Sequence, residues 1–410
     1  MLGLQGFLAE EKNVHMEHIE DLILNGGVDG TRQAINFLQA LRDMMAGKTS
    51  KPINTTVKWD GAPAIFAGVD PSDGKFFVAK KGVFNVQPLL YKTQSEIRSA
   101  KELSPDLKRK FAIALSEFSK LGITDVIQGD LLFTKGDLKR AKIDGDDYIT
   151  FHPNTIVYAL PVGSNLAKKV LKAKIGVIWH TKYKGDRLAD MKADFTADII
   201  RPLKKSASVF MDNATYRDVS GVATFTDTET AQLTEMLSKA GKIFRKVDAD
   251  TLNAIAENDD LKMRIKAFVN SRIREGESIA SPRAFVRDLV NYLIEYYDAQ
   301  IESKKTERGK APARQKKEDM LKVSTQVNAL VDIFTIYRHI QEAKSMIIRK
   351  MDKTKTIPTF LKTKDGYKVT EQEGFVAIDH VGDAIKLVDR MQFSYANFSP
   401  EVIKGFDTRR

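Results

Sequence analysis

Residues 55–66, TTVKWDGAPAIF, decide how this chain is read. β-Branched and alternating residues make the first part a strand that carries Lys58 to its end. Asp60 and Gly61 then form a tight turn, and residues 64–66 open a second apolar strand. A lysine held by rigid strands, beside a glycine that lets a phosphate approach the backbone, is a candidate nucleophile toward phosphorus once its amine loses its proton. An exposed hairpin lysine can carry the same Lys-x-Asp-Gly letters, so the rest of the chain must separate the two readings.

Outward from that stretch, strand signals cover residues 53–59, 64–69 and 75–79. The turn Asp70-Pro71-Ser72-Asp73-Gly74 joins the last two into an antiparallel meander. Ser104-Pro105 predicts a helix start, with Phe111, Leu115 and Phe118 on one face and Gly122 past its end. Strands resume at 125–133, 148–151, 155–160 and 175–180. Upstream, residues 17–24 and 31–45 read as two helices around the Gly26-Gly27 break. From about residue 195 the period changes, and helices are expected at 229–246, 282–304 and 318–351. The run 304–317, KKTERGKAPARQKK, reads as a cationic loop between the last two. Strands return after Pro358, at 373–378 and 384–388. The fold class expected is α+β: an N-terminal helical support (1–48), an antiparallel-sheet domain in two parts (49–195 and 358–410) and an all-α insertion (196–357).

The chain of 410 residues is 42% apolar and 29% charged, an ordinary globular composition. It lacks cysteine, which excludes disulfides, thiolate zinc sites and cysteine nucleophiles. Its six histidines are scattered. Any metal is then expected to be a hard ion such as magnesium, held by carboxylates and phosphates. No apolar run reaches the length of a membrane span, and the N-terminus, MLGLQGFLAEEKN, lacks a signal's basic region, so a cytoplasmic protein is expected. A surplus of 65 Lys and Arg over 54 Asp and Glu gives +11, which fits a polyanionic partner.

The strand-borne signals follow one another as Lys58-Trp59-Asp60-Gly61, Lys80-Lys81-Gly82, Gln128-Gly129-Asp130-Leu131, Glu373-Gly374-Phe375-Val376 and Ile385-Lys386-Leu387-Val388. That order resembles the covalent nucleotidyltransferase superfamily of ATP-dependent DNA and RNA ligases and mRNA capping enzymes. Its members carry KxDG, RxG-type, acidic-Gly-acidic, EGxV and KxK-type elements in this order. The resemblance covers roughly residues 50–185 and 358–395. It implies that Lys58 attacks the α-phosphate of ATP and holds AMP, with Lys80, Lys81 and Lys386 as the cations that lower its pKa and bind phosphate. It further implies that Asp130 and Glu373 hold Mg2+, that Asp60 and Gly61 shape the nucleotide site, and that either Tyr158 or Trp179 stacks on the adenine. Two positions depart from the pattern: Lys80 stands where the family has arginine, and Val388 where it has a second lysine.

Members that join DNA or cap RNA continue into an OB-fold barrel, for which the residues after Lys386 are too few. The resemblance therefore leans toward an RNA-ligase-like enzyme joining a 5′-phosphate to a 3′-hydroxyl, a compactness that would suit a virus-encoded protein. Its nucleic-acid contacts are expected on the helical insertion, at Arg272, Arg274, Arg283 and, in the cationic run, Lys304, Lys305, Arg308, Lys310, Arg314, Lys316 and Lys317. The alternatives are a non-catalytic nucleic-acid-binding protein on a decayed nucleotidyltransferase fold and a nucleotidyltransferase with another acceptor.

Overall fold

The computed structural model describes residues 17–48, 54–194, 199–213, 224–353, 357–378 and 384–405. Its strands are β1 (Asn54–Lys58), β2 (Ala64–Val69), β3 (Phe76–Ala79), β4 (Leu90–Tyr91), β5 (Val126–Thr134), β6 (Lys139–Ile143), β7 (Asp146–Phe151), β8 (Ile156–Pro161), β9 (Ile175–Lys184), β10 (Lys192–Asp194), β11 (Val209–Asn213), β12 (Thr359–Thr363), β13 (Gly366–Val369), β14 (Gly374–Ile378) and β15 (Ala384–Leu387). Its helices are α1 (Asp21–Met45), α2 (Gln94–Ser99), α3 (Pro105–Phe118), α4 (Asn165–Lys172), α5 (Asp227–Phe244), α6 (Ala249–Glu257), α7 (Asp259–Arg274), α8 (Pro282–Glu302), α9 (Glu307–Ser324), α10 (Val327–Asp352) and α11 (Arg390–Phe398). The chain divides into two compact units: Asn54–Arg217, Lys355–Ala384 and Ala396–Arg410 in one, and Met1–Ile53, Asp218–Thr354 and Ile385–Tyr395 in the other.

The first unit is rich in strands. One sheet has the order β10-β9-β5-β2-β3-β4, with β11 pairing parallel to β9, and a second runs β13-β12-β8-β7-β6 with antiparallel pairing. The expected meander is present, with Phe66 opposite Ala79 across β2 and β3. Alternation along each strand then sets two cores, because successive side chains leave opposite faces, with a register shift between Leu131 and Phe133 that turns both Leu132 and Phe133 to one side of β5. On one face of the larger sheet, Ile65, Ile127, Val177 and Trp179 pack under Phe111, Ala114 and Phe118 of α3. That helix begins as expected, with Ser104 Oγ accepting from the Leu107 amide at 3.3 Å and proline in the first turn. On the other face, Leu132, Phe133 and Ile178 meet Ile149, Phe151, Tyr158 and Leu160 of the smaller sheet.

The second unit is helical among its described residues, apart from residues of β15. The Gly26-Gly27 break lies inside one kinked helix, α1, where Gly27 holds φ +55°. The Val28 amide freed by that kink donates to Asn253 Oδ1 at 3.0 Å, and a Cβ on Gly27 would lie 2.3 Å from the same oxygen. The run 304–317 differs from expectation. From Glu307 on it is helix: Thr306 caps α9, accepting from the Gly309 amide at 3.1 Å, and Pro312 sits inside the helix. Burial of Ala313, Met320 and Val323 along one face holds the helix where glycine and proline argue against it. The expected helix at 318–351 is accordingly two, parted at Thr325 and Gln326.

Polar groups are buried in this unit as a paired set. Lys344 Nζ donates to both Glu20 oxygens at 2.7 and 2.8 Å, while Arg390 reaches Asp21 Oδ1 at 2.9 Å and the Tyr337 hydroxyl at 2.8 Å. Tyr337 completes a triangle by donating to Asp21 Oδ1 at 2.8 Å. Among the described residues no helix is long and apolar enough to cross a membrane.

Candidate active site around Lys58

The site is built by strand register. β1 runs antiparallel to β14 with Lys58 opposite Gly374, so Glu373, one residue ahead of β14, stands at the lysine's end of the ladder. Lys58 Nζ and Glu373 Oε1 form an ion pair there. Gly374 holds φ +143°, a backbone conformation that side chains strain, which gives the glycine of the Glu-Gly pair a positional reason. The Lys58 side chain keeps 24% of its surface exposed against 9% for Glu373, so the amine is reachable while its partner is largely withdrawn from water.

The electrostatics reverse the expectation that cations surround this lysine. Burial opposes the charge on Lys58, but the Glu373 carboxylate, followed by Asp130 and Asp60, outweighs it and raises the amine above its ordinary value. The resting lysine is thus an ammonium. Burial in turn pushes Glu373 up to about 7, against the pull of Lys58, with Asp60 and Asp130 adding to the rise. A carboxyl titrating near 7 is matched to accepting a proton at neutral pH.

Asp130 lies on β5 opposite Ala64 of β2. Its Oδ2 is 3.5 Å from His180 Nε2, and His180 Nδ1 in turn meets Thr181 Oγ1 at 2.7 Å. Period two along β9 puts Trp179 toward α3 and His180 on the face of Asp130, so the alternation in IGVIWHTK already signals His180, which motif reading passed over. Gly61 serves this packing: a Cβ there would lie 2.6 Å from Asp130 Cβ and 3.1 Å from Leu131 O. Close approach of a strand is the reason for glycine at this position.

Asp60 is a corner post. Its Oδ2 accepts from the Thr155 amide at 2.6 Å, the Thr155 hydroxyl at 2.7 Å and the Ile156 amide at 2.7 Å, and its Oδ1 from Asn154 Nδ2 at 2.8 Å. These bonds tie the Lys58 turn to the start of β8, the strong form of the turn role that Asp before Gly allows. Asp60→Ala would leave buried donors without acceptors and is expected to cost about 3 kcal/mol, measured as a lowered denaturation midpoint at unchanged slope.

Both candidate adenine platforms are core residues, which corrects the expectation. Tyr158 is 3% exposed; its ring is stacked on Phe151 with centroids 5.2 Å apart and has Trp59 at 4.9 Å, and its hydroxyl accepts from the Asp60 amide at 2.7 Å. Trp179 is 1% exposed against Phe118, with an unbonded indole nitrogen. Neither offers a face to a base. Trp59, between Lys58 and Asp60, is the half-exposed aromatic beside the site.

Lys80 follows β3, half-buried and lining a cavity, while Lys81 is exposed at the start of the short 3-10 turn Lys81–Phe84. Neither is among the leading influences on Lys58, which are burial and the three acids. Lys386 belongs to the helical unit, where β15 bridges to His18 and the Lys386 amide donates to Glu17 O at 3.1 Å. Among the described residues no group of three or more His, Asp or Glu is arranged to hold a metal. Asp130 and Glu373 supply two hard oxygen donors beside Lys58, which fits magnesium when phosphates provide further ligands.

Five of the ten expected nucleic-acid cations are matched to acids of their own unit among the described residues. Lys310 and Arg314 reach Glu307 at 3.3 and 2.7 Å, Lys316 reaches Asp260 at 3.0 Å and Lys317 reaches Asp298 at 2.5 Å. Arg272 bonds Glu275 and Glu277, both at 3.1 Å, and Arg283 reaches Asn328 Oδ1 at 3.5 Å. Lys304, Lys305, Arg308 and Arg274 are exposed. Acids one turn away, or on the neighbouring helix, explain why a run dense in cations is a weaker phosphate surface than its letters suggest.

The structure therefore defines a mixed α and β protein whose antiparallel sheets bring a lysine and carboxylates together. A model of a family of unknown function, DUF6267, matches residues 13–402, and the chain belongs to that family. No curated protein and no solved structure matches it.

Proposed function

We propose that the chain is an ATP-dependent covalent nucleotidyltransferase of the polynucleotide-ligase kind, RNA-ligase-like, with Lys58 carrying AMP. The observation that supports this is the Lys58–Glu373 pair, in which a reachable amine faces a buried carboxyl that titrates near neutrality. Glu373 takes the proton from Nζ, and the freed lone pair attacks the α-phosphorus of ATP. A P–N bond forms, the bond to the bridging oxygen breaks, and pyrophosphate leaves with that electron pair. Attack by a 5′-phosphate oxygen of a nucleic-acid strand then breaks the P–N bond, and the lysine recovers its proton from Glu373. A 3′-hydroxyl finally attacks the activated phosphate and releases AMP. Asp130 would hold Mg2+, joined by Glu373 only while its carboxylate is unprotonated, and the ion when bound would supply charge stabilisation on the phosphate oxygens. Asp60 keeps the turn rigid, so Nζ is aimed rather than searching.

The test is incubation with Mg2+ and α-labelled ATP. Wild type is expected to acquire a label that is labile to acid and stable to base, and Lys58→Ala none; an unlabelled wild type under both ATP and GTP would refute the proposal. A second reading, a binding protein on a decayed catalytic fold, is favoured by the acids that surround Lys58 where cations were expected. The same assay separates the two.

A further inference from the structure

The strand-rich unit contains a cavity of about 860 Å³ whose lining includes Lys80, Lys139, Lys362 and Lys404, together with His152 and Tyr367. Lys58, Asp130 and Glu373 do not line it, so it is distinct from the nucleophile's site. It comes from several elements at once: the residue after β3, the starts of α3 and β6, the end of β7, β12, β13 and the segment 403–405. That last segment is fixed in place. The Ile403 amide donates to Lys362 O at 2.8 Å and the Gly405 amide to Asn154 O at 2.5 Å, and a Cβ on Gly405 would lie 2.1 Å from His152 O.

Charge separates this cavity from the cationic run on α9. Its acids have partners: Asp106 is bound by Arg109 and Lys110, Asp137 accepts from the Thr134 amide and hydroxyl at 2.7 Å, and Glu102 accepts from the Tyr91 hydroxyl at 2.6 Å. None of the four lysines pairs with an acid among the described residues. Burial first, then the charges of Lys362 and Lys139, push His152 down to about 4 against the raising effects of Thr155 O and Asp60, so the ring is neutral near pH 7. The cavity thus presents four lysines that pair with no acid among the described residues, around a neutral imidazole and the half-exposed Tyr367 ring, and with Arg109 its cations outnumber the lining acids Glu102, Asp106 and Asp137 by five to three. A basic cavity that also holds rings is the combination that binds single strands, ammonium to phosphate and ring to base. Its volume lies at the upper end of small-molecule sites, about 300–1,000 Å³, which admits a short strand and excludes a duplex.

We infer that this cavity is the docking channel for the phosphodiester backbone of a single-stranded nucleic acid, with Lys139, Lys362 and Lys404 as its phosphate contacts. The inference rests on the proposed function for its biological meaning, though strand binding can be measured without ATP. The experiment is fluorescence anisotropy of a 5′-phosphorylated single-stranded RNA, titrated with the full chain over a range of salt, alongside self-labelling with α-labelled ATP. Lys139→Gln, Lys362→Gln and Lys404→Gln together are expected to weaken binding at least about tenfold and to reduce the salt slope by about 2, with self-labelling unchanged. The matching triple Lys→Arg variant is expected to bind as wild type does, which separates lost charge from lost fold. Lys304→Gln, Lys305→Gln and Arg308→Gln together are expected to change affinity less than about twofold. The inference is overturned if the cavity variant binds as tightly as wild type with the same slope, if wild type binds no strand, or if the variant at Lys304, Lys305 and Arg308 carries the loss. Absent self-labelling with strand binding still lost in the cavity variant would sink the nucleotidyltransferase reading and leave the channel standing.

Discussion

Glu373→Gln is expected to slow self-adenylylation of Lys58 by about 10²–10⁴-fold and to abolish its dependence on pH near neutrality. In the resting site the lysine is an ammonium held by carboxylates, so the nucleophile that the proposed function requires appears only when the pair gives up one proton and passes the other from Nζ to Glu373. The apparent pKa of the wild-type rate should follow the carboxyl, about 7: the rate rises with pH below that value and levels off above it. Glutamine keeps the size and can still accept a hydrogen bond, but it is far too weak a base to take the proton. A flat, slow profile in Glu373→Gln supports the assignment; an unchanged profile would remove Glu373 from the chemistry. Stability carries a matching signature. Because Glu373 titrates above its ordinary 4.5 when folded, the folded chain holds the extra proton, and stability from this group is lost as pH rises from about 4.5 to about 7. Lys58 acts at the other end: its raised pKa adds stability that is lost only as pH climbs past the ordinary lysine range.

In the helical unit, Arg390→Ala is expected to lower unfolding stability by about 3–5 kcal/mol, the cost of leaving a buried charge without its partner. Arg390 is 8% exposed and its guanidinium meets Asp21, Tyr337 and, at 3.6 Å, Glu20. Its loss strands Asp21, which is 3% exposed, and removes one of the two cations that hold Glu20 below its ordinary pKa against burial. A depressed carboxylate contributes stability above its unfolded pKa, and that contribution is lost as pH falls. The deficit of Arg390→Ala should therefore be largest near neutral pH and shrink in acid, as Glu20 takes up a proton. Adding Asp21→Asn to Arg390→Ala should recover part of the loss, a coupling read directly from the double-mutant cycle by chemical denaturation. Simple additivity of the two substitutions would show that the pair does not act as a unit.

The sequence by itself determined part of the local structure of this protein. β2 begins and ends where alternation and the Asp70 to Gly74 turn place it and α3 starts at Ser104-Pro105, though strands give way to helices only after β11 (Val209–Asn213), which pairs with β9 inside the stretch expected to be all-α from residue 196. These are short-range matters of side-chain period, caps and turns, which a few neighbouring letters carry. It also placed Lys58 and Glu373 at strand ends, but not against each other. What only the tertiary structure decided is pairing. The β1–β14 register turns two separate motifs into an acid–base pair, while Asp60, a candidate site residue, becomes a structural anchor for residues 154–156. Tyr158 and Trp179 become core because the two sheets and α3 close over them. The cations of 304–317 lose their prominence to Glu307, Asp260 and Asp298, and four lysines scattered between residues 80 and 404 acquire it by lining one cavity. The physical reason is common to all of these: a side chain's charge state and reach depend on what burial and long-range contacts put beside it, and no local window of the chain contains that neighbour.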